Sequence, residues 1–318
     1  DYTDGGCPVL LTEPQSTNII TNSNDMLASN WSQTTATVTL SSNINPFGNP
    51  QCYRVERVGS GLQLGGVTVA TIGEEYTYSI YLRKISGSGV VNMKDVNNSV
   101  QQVTVTDEWQ RYTASAEANS ASGRYYLTLG SDGDVIEASF AQLEELSYAT
   151  SLIPTYGEVR TRLQDSVSGA GTSSDFNGEE GVLFAEVSTL TNEAVNKRIA
   201  LSDGTNNNRI VITLNGLNVS TLVRVNNVTE ASTTSFTLGD ITDLNKIAFK
   251  YKENDFALWV NGVEVRTDNS GLTFPINTLT ELNLTDGAAG SNLFGKTSQV
   301  QVFNTALSDF ELQQLTTI

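Results

Sequence analysis

The chain is predicted to be all-β, built as two tandem β-sandwich or jelly-roll domains with a short C-terminal helix. Three observations predict it. Apolar and polar residues alternate in short runs bounded by Gly, Asn and Asp, the two-residue period of half-buried strands. Turn signals recur roughly every eight to twelve residues, the spacing of sandwiches and jelly rolls. At 318 residues the chain exceeds one such domain, so two units of roughly 150 residues are expected.

The first domain is placed at residues 1–150. Its clearest strand is Glu75–Ile85 (EYTYSIYLRKI), with Tyr78, Ile80 and Leu82 on one face and Ser79, Tyr81 and Arg83 on the other. Further strands are read at Gly66–Ala70, Trp109–Glu117, Arg124–Leu129 and Val135–Leu143. A connector at 151–160 carries Leu152-Ile153-Pro154-Thr155. Proline fixes its own φ and drives Ile153 toward extended geometry, giving a short stiff link with the domains meeting between Ser147 and Arg160.

The second domain is placed at 161–318, with strands at Gly181–Ser188, Arg209–Leu214, Asn245–Tyr251 and Ser298–Phe303. In FALWVNGVEVRT, Asn261-Gly262 separates two alternating runs and supplies the positive φ values of a type I′ hairpin. The closing helix is marked by Ser308 and Glu311 as a capping box and by Leu307 and Leu312 as a hydrophobic staple.

Composition removes whole classes of chemistry. The chain has no histidine, which excludes Ser-His-Asp and Cys-His catalysis and His-ligated zinc. Its only cysteines, Cys7 and Cys52, are too few for a zinc or iron–sulfur cluster; they read as two buried thiols or as one disulfide. A formal charge of −17 argues against nucleic acid as a partner. No apolar run approaches the roughly 20 residues needed for membrane insertion as a helix, and the N-terminus lacks a signal peptide's regions. No organic cofactor is expected.

An enzymatic reading needs paired carboxylates on one strand face. Glu186 is followed by Val187, Ser188 and Thr189, and Glu264 stands alone beyond the hairpin turn, so no catalytic residues are expected. Sugar recognition needs aromatic faces beside polar groups. Tyr81 and Arg83 share a strand face and Arg111 lies on the strand after Trp109; the alternative is that Tyr81 is a half-exposed strand aromatic and Trp109 is core, where tryptophan usually buries well. Trp259 points away from the inward set Phe256, Leu258 and Val260, toward a binding groove or a packed neighbour.

The segments DYTDGGCPVLLTEPQSTN, YTYSIYLRK, EWQRYT and AQLEELSYATSLIPT resemble the carbohydrate-binding-module-like jelly rolls of bacteriophage tail and fibre proteins and related bacterial surface proteins. In similar proteins the opening segment continues from upstream sequence. GVLFAEVS, LSDG, FALWVNGVEV and VQVFNTALSDFELQQL resemble a laminin-G/concanavalin-like lectin domain. The resemblance implies a surface-displayed, non-enzymatic protein of a virion surface or extracellular setting. Its expected partners are cell-surface polysaccharide or glycan, other virion proteins and further copies of itself. A structural spacer of the virion and an accessory region of a polysaccharide-degrading enzyme are the alternatives. The resemblance also implies structural calcium joining the start and end of the first domain, through Asn24 or Asp25 and Gln142 or Glu144. Asp132-Gly133-Asp134 and Asp203-Gly204 read as simple turns.

Overall fold

The computed structural model of the chain describes residues 8–61 and 63–318. It is all-β apart from one C-terminal helix, as the alternation requires. None of the described helices is long and apolar enough to cross a membrane.

The first strand, β1 (Leu10–Thr12), belongs to the second of two compact units. The first unit, residues 15–163, carries β2 (Ser16–Asn18), β3 (Ala36–Leu40), β4 (Tyr53–Arg57), β5 (Leu64–Val69), β6 (Glu75–Ser86) and β7 (Val90–Lys94). It continues with β8 (Val100–Thr104), β9 (Gln110–Glu117), β10 (Ser122–Leu129), β11 (Val135–Glu144) and β12 (Arg160–Arg162). A five-stranded antiparallel sheet in the order β3-β4-β11-β6-β9 and a four-stranded sheet β5-β10-β7-β8 supply the core. Tyr76, Tyr78, Ile80 and Leu82 of β6 enter it from one sheet, and Val91, Met93, Leu127 and Leu129 from the other. The opposite set on β6, including Tyr81 and Arg83, therefore lies on the outer face.

The second unit, residues 8–14 with 164–318, adds β13 (Glu180–Thr189), β14 (Lys197–Ser202), β15 (Arg209–Asn215), β16 (Asn218–Val225), β17 (Val228–Ser232) and β18 (Phe236–Thr237). Then come β19 (Asn245–Lys252), β20 (Phe256–Val260), β21 (Val263–Asp268), β22 (Glu281–Asn283), β23 (Gly295–Phe303) and α1 (Asp309–Thr316). One sheet runs β1-β23-β13-β19-β20-β21, the other β17-β16-β15-β14-β22 with β18 beside β16. Asn261 at φ 49° and Gly262 at φ 84° form the predicted hairpin turn between β20 and β21. The helix start has the predicted capping box, and Leu312 is fully buried.

The division of the chain differs from the expected 1–150, 151–160 and 161–318 in two places, both for reasons of hydrogen bonding. Residues 151–160 are part of the first unit, not a free link: Ile153 N–H donates to Gln142 Oε1 at 2.7 Å and the Asn18 amide donates to Ile153 O at 2.9 Å. Thr155 is buried against Ile20 and Ser23, and β12 pairs with β2, so the boundary falls between Leu163 and Gln164. At the other end, β1 pairs with β23 and the Thr12 hydroxyl donates to Leu293 O at 2.6 Å. In sequence, the first unit is an insertion between the first two strands of the second.

Candidate functional site

The outer face of the five-stranded sheet gathers four of the residues singled out from the sequence. Register places Tyr81 between Arg111 on β9 and Ser139 on β11, and Arg83 opposite Glu137. Cross-strand partners share a face, so these side chains meet. The Arg83 guanidinium lies over the Trp109 ring at 5.0 Å, and that of Arg111 over the Tyr81 ring at 5.7 Å. Trp109 is half-buried rather than core, its indole N–H donating to Ile44 O at 3.2 Å.

The two arginines are held differently from hydroxyl-binding ligands on a free surface. Arg83 donates to Glu137 Oε2 at 3.1 and 2.5 Å, and the Glu137 side chain is only 1% exposed. Ser41 and Asn43 donate to the other Glu137 oxygen. Burial alone would push the Glu137 carboxyl up, but hydrogen bonds from Ser41, Arg83 and Asn43, with the Arg83 charge, hold it below its ordinary value. Arg111 donates to Thr150 O at 2.5 Å and Ser79 Oγ at 2.8 Å. Both arginines thus fix the aromatic rings beneath them. Tyr81 is half-buried, and its hydroxyl has no hydrogen bond to any described residue, which leaves it for a ligand.

A bulge in β11 extends this face. Between Ser139 and Gln142 the register against β6 slips by one residue, and Phe140 sits at φ 48°. A non-glycine aromatic in that region costs about 1–3 kcal/mol, a strain that clusters at functional sites. Asn24 Oδ1 accepts from Phe140 N at 3.2 Å and from Ser139 Oγ at 2.9 Å, and Ser23 O accepts from Ala141 N at 2.9 Å, so the bulge's amides are satisfied. Phe47 packs edge-on against Phe140 at 5.2 Å and against Tyr81 at 5.3 Å while remaining 49% exposed. Beside them a cleft of about 570 Å³ is lined by Asn45, Asn49, Gln51, Tyr53, Phe140 and Tyr156. Tyr156 is exposed, with the Arg160 guanidinium 5.4 Å from its ring centre. Phe47 and Tyr156 offer exposed aromatic faces and Asn49 and Gln51 exposed amides, suited to stacking and hydroxyl bonding, over the buried Phe140, Tyr53 and Asn45.

The sequence did not single out Phe47, Phe140, Tyr156 or Glu137. Phe47 had a local signal, a large aromatic between Pro46 and Gly48 in a turn-rich stretch where core residues are rare. Phe140 had none, because the bulge that turns it is a property of strand pairing.

Trp259 does not belong to a binding surface. It does lie on the sheet face opposite Phe256, Leu258 and Val260, but α1 covers that face. Trp259 is 6% exposed and packs with Val182, Phe184, Ala248 and Leu312. The amphipathic helix needed an apolar surface for Leu312, and this ring supplies it.

The four residues named for calcium fall into separate hydrogen-bonded sets. Asn24 Oδ1 holds the bulge, while Asp25 Oδ1 accepts from Leu27 N and from the Tyr53 hydroxyl. Gln142 Oε1 takes Ile153 N, and Glu144 accepts from Ser16 Oγ at 2.6 Å, Thr150 Oγ1 at 2.5 Å and Thr150 N at 3.0 Å. Asn24 Oδ1, Gln142 Oε1 and both Glu144 oxygens are committed to protein donors, and only Asp25 keeps a carboxylate oxygen without one among the described residues, so this set does not fit one metal centre. Among the described residues no group of three or more His, Cys, Asp or Glu gathers for a metal. Cys52 is a buried thiol donating to Asn43 O at 3.3 Å, its pKa raised by burial and by Glu137. Cys7 lies outside the described residues.

No protein family matches the chain, and no curated protein matches it. Among solved structures it is similar to the CBM40 module of a Ruminococcus gnavus IT-sialidase bound to α2,3-sialyllactose, at 17% identity and TM-score 0.39 over 47% of this chain and 94% of that one. It is similar to a leech intramolecular trans-sialidase at 16% identity and TM-score 0.38, over 45% of this chain but only 24% of the leech chain. Mouse laminin α1 domains LG4-5 are similar at 11% identity and TM-score 0.30, over 77% of this chain and 92% of that one. These are distant likenesses, and what those proteins bind does not pass to this chain through them.

Proposed function

We propose that the first unit is a non-enzymatic glycan-recognition module whose site is the outer face of the β3-β4-β11-β6-β9 sheet. The observation that carries this reading is the exposed Phe47 packed edge-on against the half-buried Tyr81, backed by the buried Phe140, with the adjoining cleft and with Trp109 and Tyr81 each held under a guanidinium. The chain has no histidine, and Glu137 is fully engaged by its donors; the carboxylates this face does pair, Glu75 and Glu117, are exposed at the far end of β6 and β9 from Tyr81. A screen of the whole chain against bacterial and algal polysaccharides tests it. Tyr81→Ala is expected to weaken the best binder roughly tenfold, about 1.4 kcal/mol, with the fold intact. Equal binding by the variant removes this face as the site; no binder at all removes the reading and favours the structural-spacer role.

The finer proposal is a receptor-binding or adhesion component of a bacteriophage or virion appendage, displayed on a particle or outside the cell beside other virion proteins. Its support is the sequence resemblance. Repetition on a particle would also let weak single sites act together. An accessory region of a polysaccharide-degrading enzyme uses the same surface, and a hydrolase gene upstream instead of capsid and tail genes would select it.

Structural calcium in the first unit remains a separate proposal. Its support is the resemblance and the excess of 35 acidic over 18 basic residues, since the residues named for it do not form a centre. Excess chelator lowering the first unit's melting temperature by several degrees would support it, because an ion bound only to the folded state stabilises by mass action. Unchanged melting removes it.

A further inference from the structure

We propose that the outer face of the second unit's β14–β15–β16 sheet binds an oxyanion, the carboxylate or sulfate group of an acidic saccharide, through Arg198, Arg209 and Arg224. Ile199, Ile210, Val223 and Val225, their neighbours in sequence, point into the core, so the three arginines emerge on the opposite face. Arg209 and Arg224 are direct cross-strand partners. Like charges placed opposite each other destabilise a sheet unless something between them compensates.

The compensation within the chain is incomplete. The side chain of Arg209 is only 8% exposed, yet its hydrogen bonds go to neutral acceptors, the Asn206 amide oxygen and Asp286 O at 2.7 Å. The Asp286 carboxylate stands off at 3.8 Å from Arg198 and 3.9 Å from Arg209, too far for a hydrogen bond. Its other oxygen is taken by Ala288 N and Gly290 N. Nearby acids are turned elsewhere: Asp203 to Thr205 and Asn208, Glu281 to Asn283. Arg224 has no ion pair with a described residue, and the buried Nε atoms of all three arginines lack a hydrogen-bond partner among the described residues.

Burial, with the charges of Arg198 and Arg224, presses the Arg209 guanidinium below its usual range despite Asp286. The buried Nε atoms are out of an incoming ligand's reach; an oxyanion would meet Arg198, whose side chain is 24% exposed, and the half-buried, unpaired Arg224, and it would neutralise the charge that Asp286 leaves uncompensated. In a chain of net charge −17, long-range forces repel polyanions, so affinity must arise from this contact alone. The oxyanion contact stands apart from the first-unit site; only the choice of a saccharide as carrier rests on the proposed function.

Calorimetric titration of the whole chain with galacturonate, glucose 6-sulfate and glucose tests this. One or both anions are expected to bind where glucose does not, and the two arms separate carboxylate from sulfate as the source. Arg224→Gln and Arg198→Gln are each expected to weaken anion binding at least tenfold, while Tyr81→Ala in the first unit leaves it unchanged. Arg224→Gln should also melt at or above the parent temperature, because it relieves a like-charge pair. No anion binding at millimolar concentration, full binding by Arg224→Gln, or a destabilised Arg224→Gln would each overturn the proposal. Loss of neutral-glycan binding in Tyr81→Ala with anion binding intact would show the two sites to be independent.

Discussion

Replacing Arg83 by alanine is expected to destabilise the first unit by about 3–5 kcal/mol, the cost of leaving a buried carboxylate without its partner. The side chain of Glu137 is 1% exposed, and Arg83 is its ion-pair partner. The same change removes the guanidinium that covers Trp109. Thermal unfolding followed in the first unit should show a drop on the order of 10 °C. Glu137 sets the direction of the pH dependence. Its carboxyl is held below the ordinary value of 4.5, so the folded state binds its proton less readily than the unfolded state. Its contribution is therefore complete above the unfolded value and is lost as pH falls through the lower folded value. The parent should lose stability through that acidic window, and Glu137→Gln, weaker at neutral pH, should show a flatter profile there.

Truncation of the chain through Pro14 is expected to destabilise the second unit while leaving the first unit's melting in place. Residues 10–12 form the edge strand beside β23, Thr12 donates to Leu293 O, and Glu13 and Asp165 exchange backbone N–H and acceptor groups at 2.9 Å. Several such bonds at about 1 kcal/mol each give a loss of about 2–4 kcal/mol. The truncated chain should also self-associate, because β23 is then left as an open edge of unpaired backbone groups. Sedimentation of the truncated and parent chains at equal concentration, with melting of each unit, checks both expectations. Unchanged second-unit melting would mean that β1 adds nothing to the sheet.

What local chemistry dictates was legible in the chain. Asn261-Gly262 specified its hairpin because few residue pairs tolerate two positive φ values. Ser308 and Glu311 marked the helix start because the capping box lies within four residues. Tyr81 and Arg83 could be assigned to the outer face of β6 because the side-chain period of a strand is two. What depends on distant pairing was not legible. Nothing in residues 10–12 says that their partner is β23, and nothing in residues 151–160 says that their hydrogen bonds return to Asn18 and Gln142. Trp259 shows the same limit: alternation gave its face, but only packing shows that Leu312 covers it. Asn24 was named, with Asp25, as a calcium ligand only through the resemblance; the structure uses its amide oxygen to satisfy a bulge no sequence pattern marks.

The outer face around Tyr81 is, on the proposed function, where the first unit meets a glycan. The most direct measurement is to map the best-binding oligosaccharide by backbone and aromatic NMR shifts on the whole chain. The perturbed resonances are expected to concentrate at Phe47, Tyr81, Trp109 and Tyr156, with the buried Phe140 following through its contact with Phe47, and to vanish from Phe47 and Phe140 in Tyr81→Ala. Perturbations elsewhere in the chain, with these five residues unmoved, would contradict it.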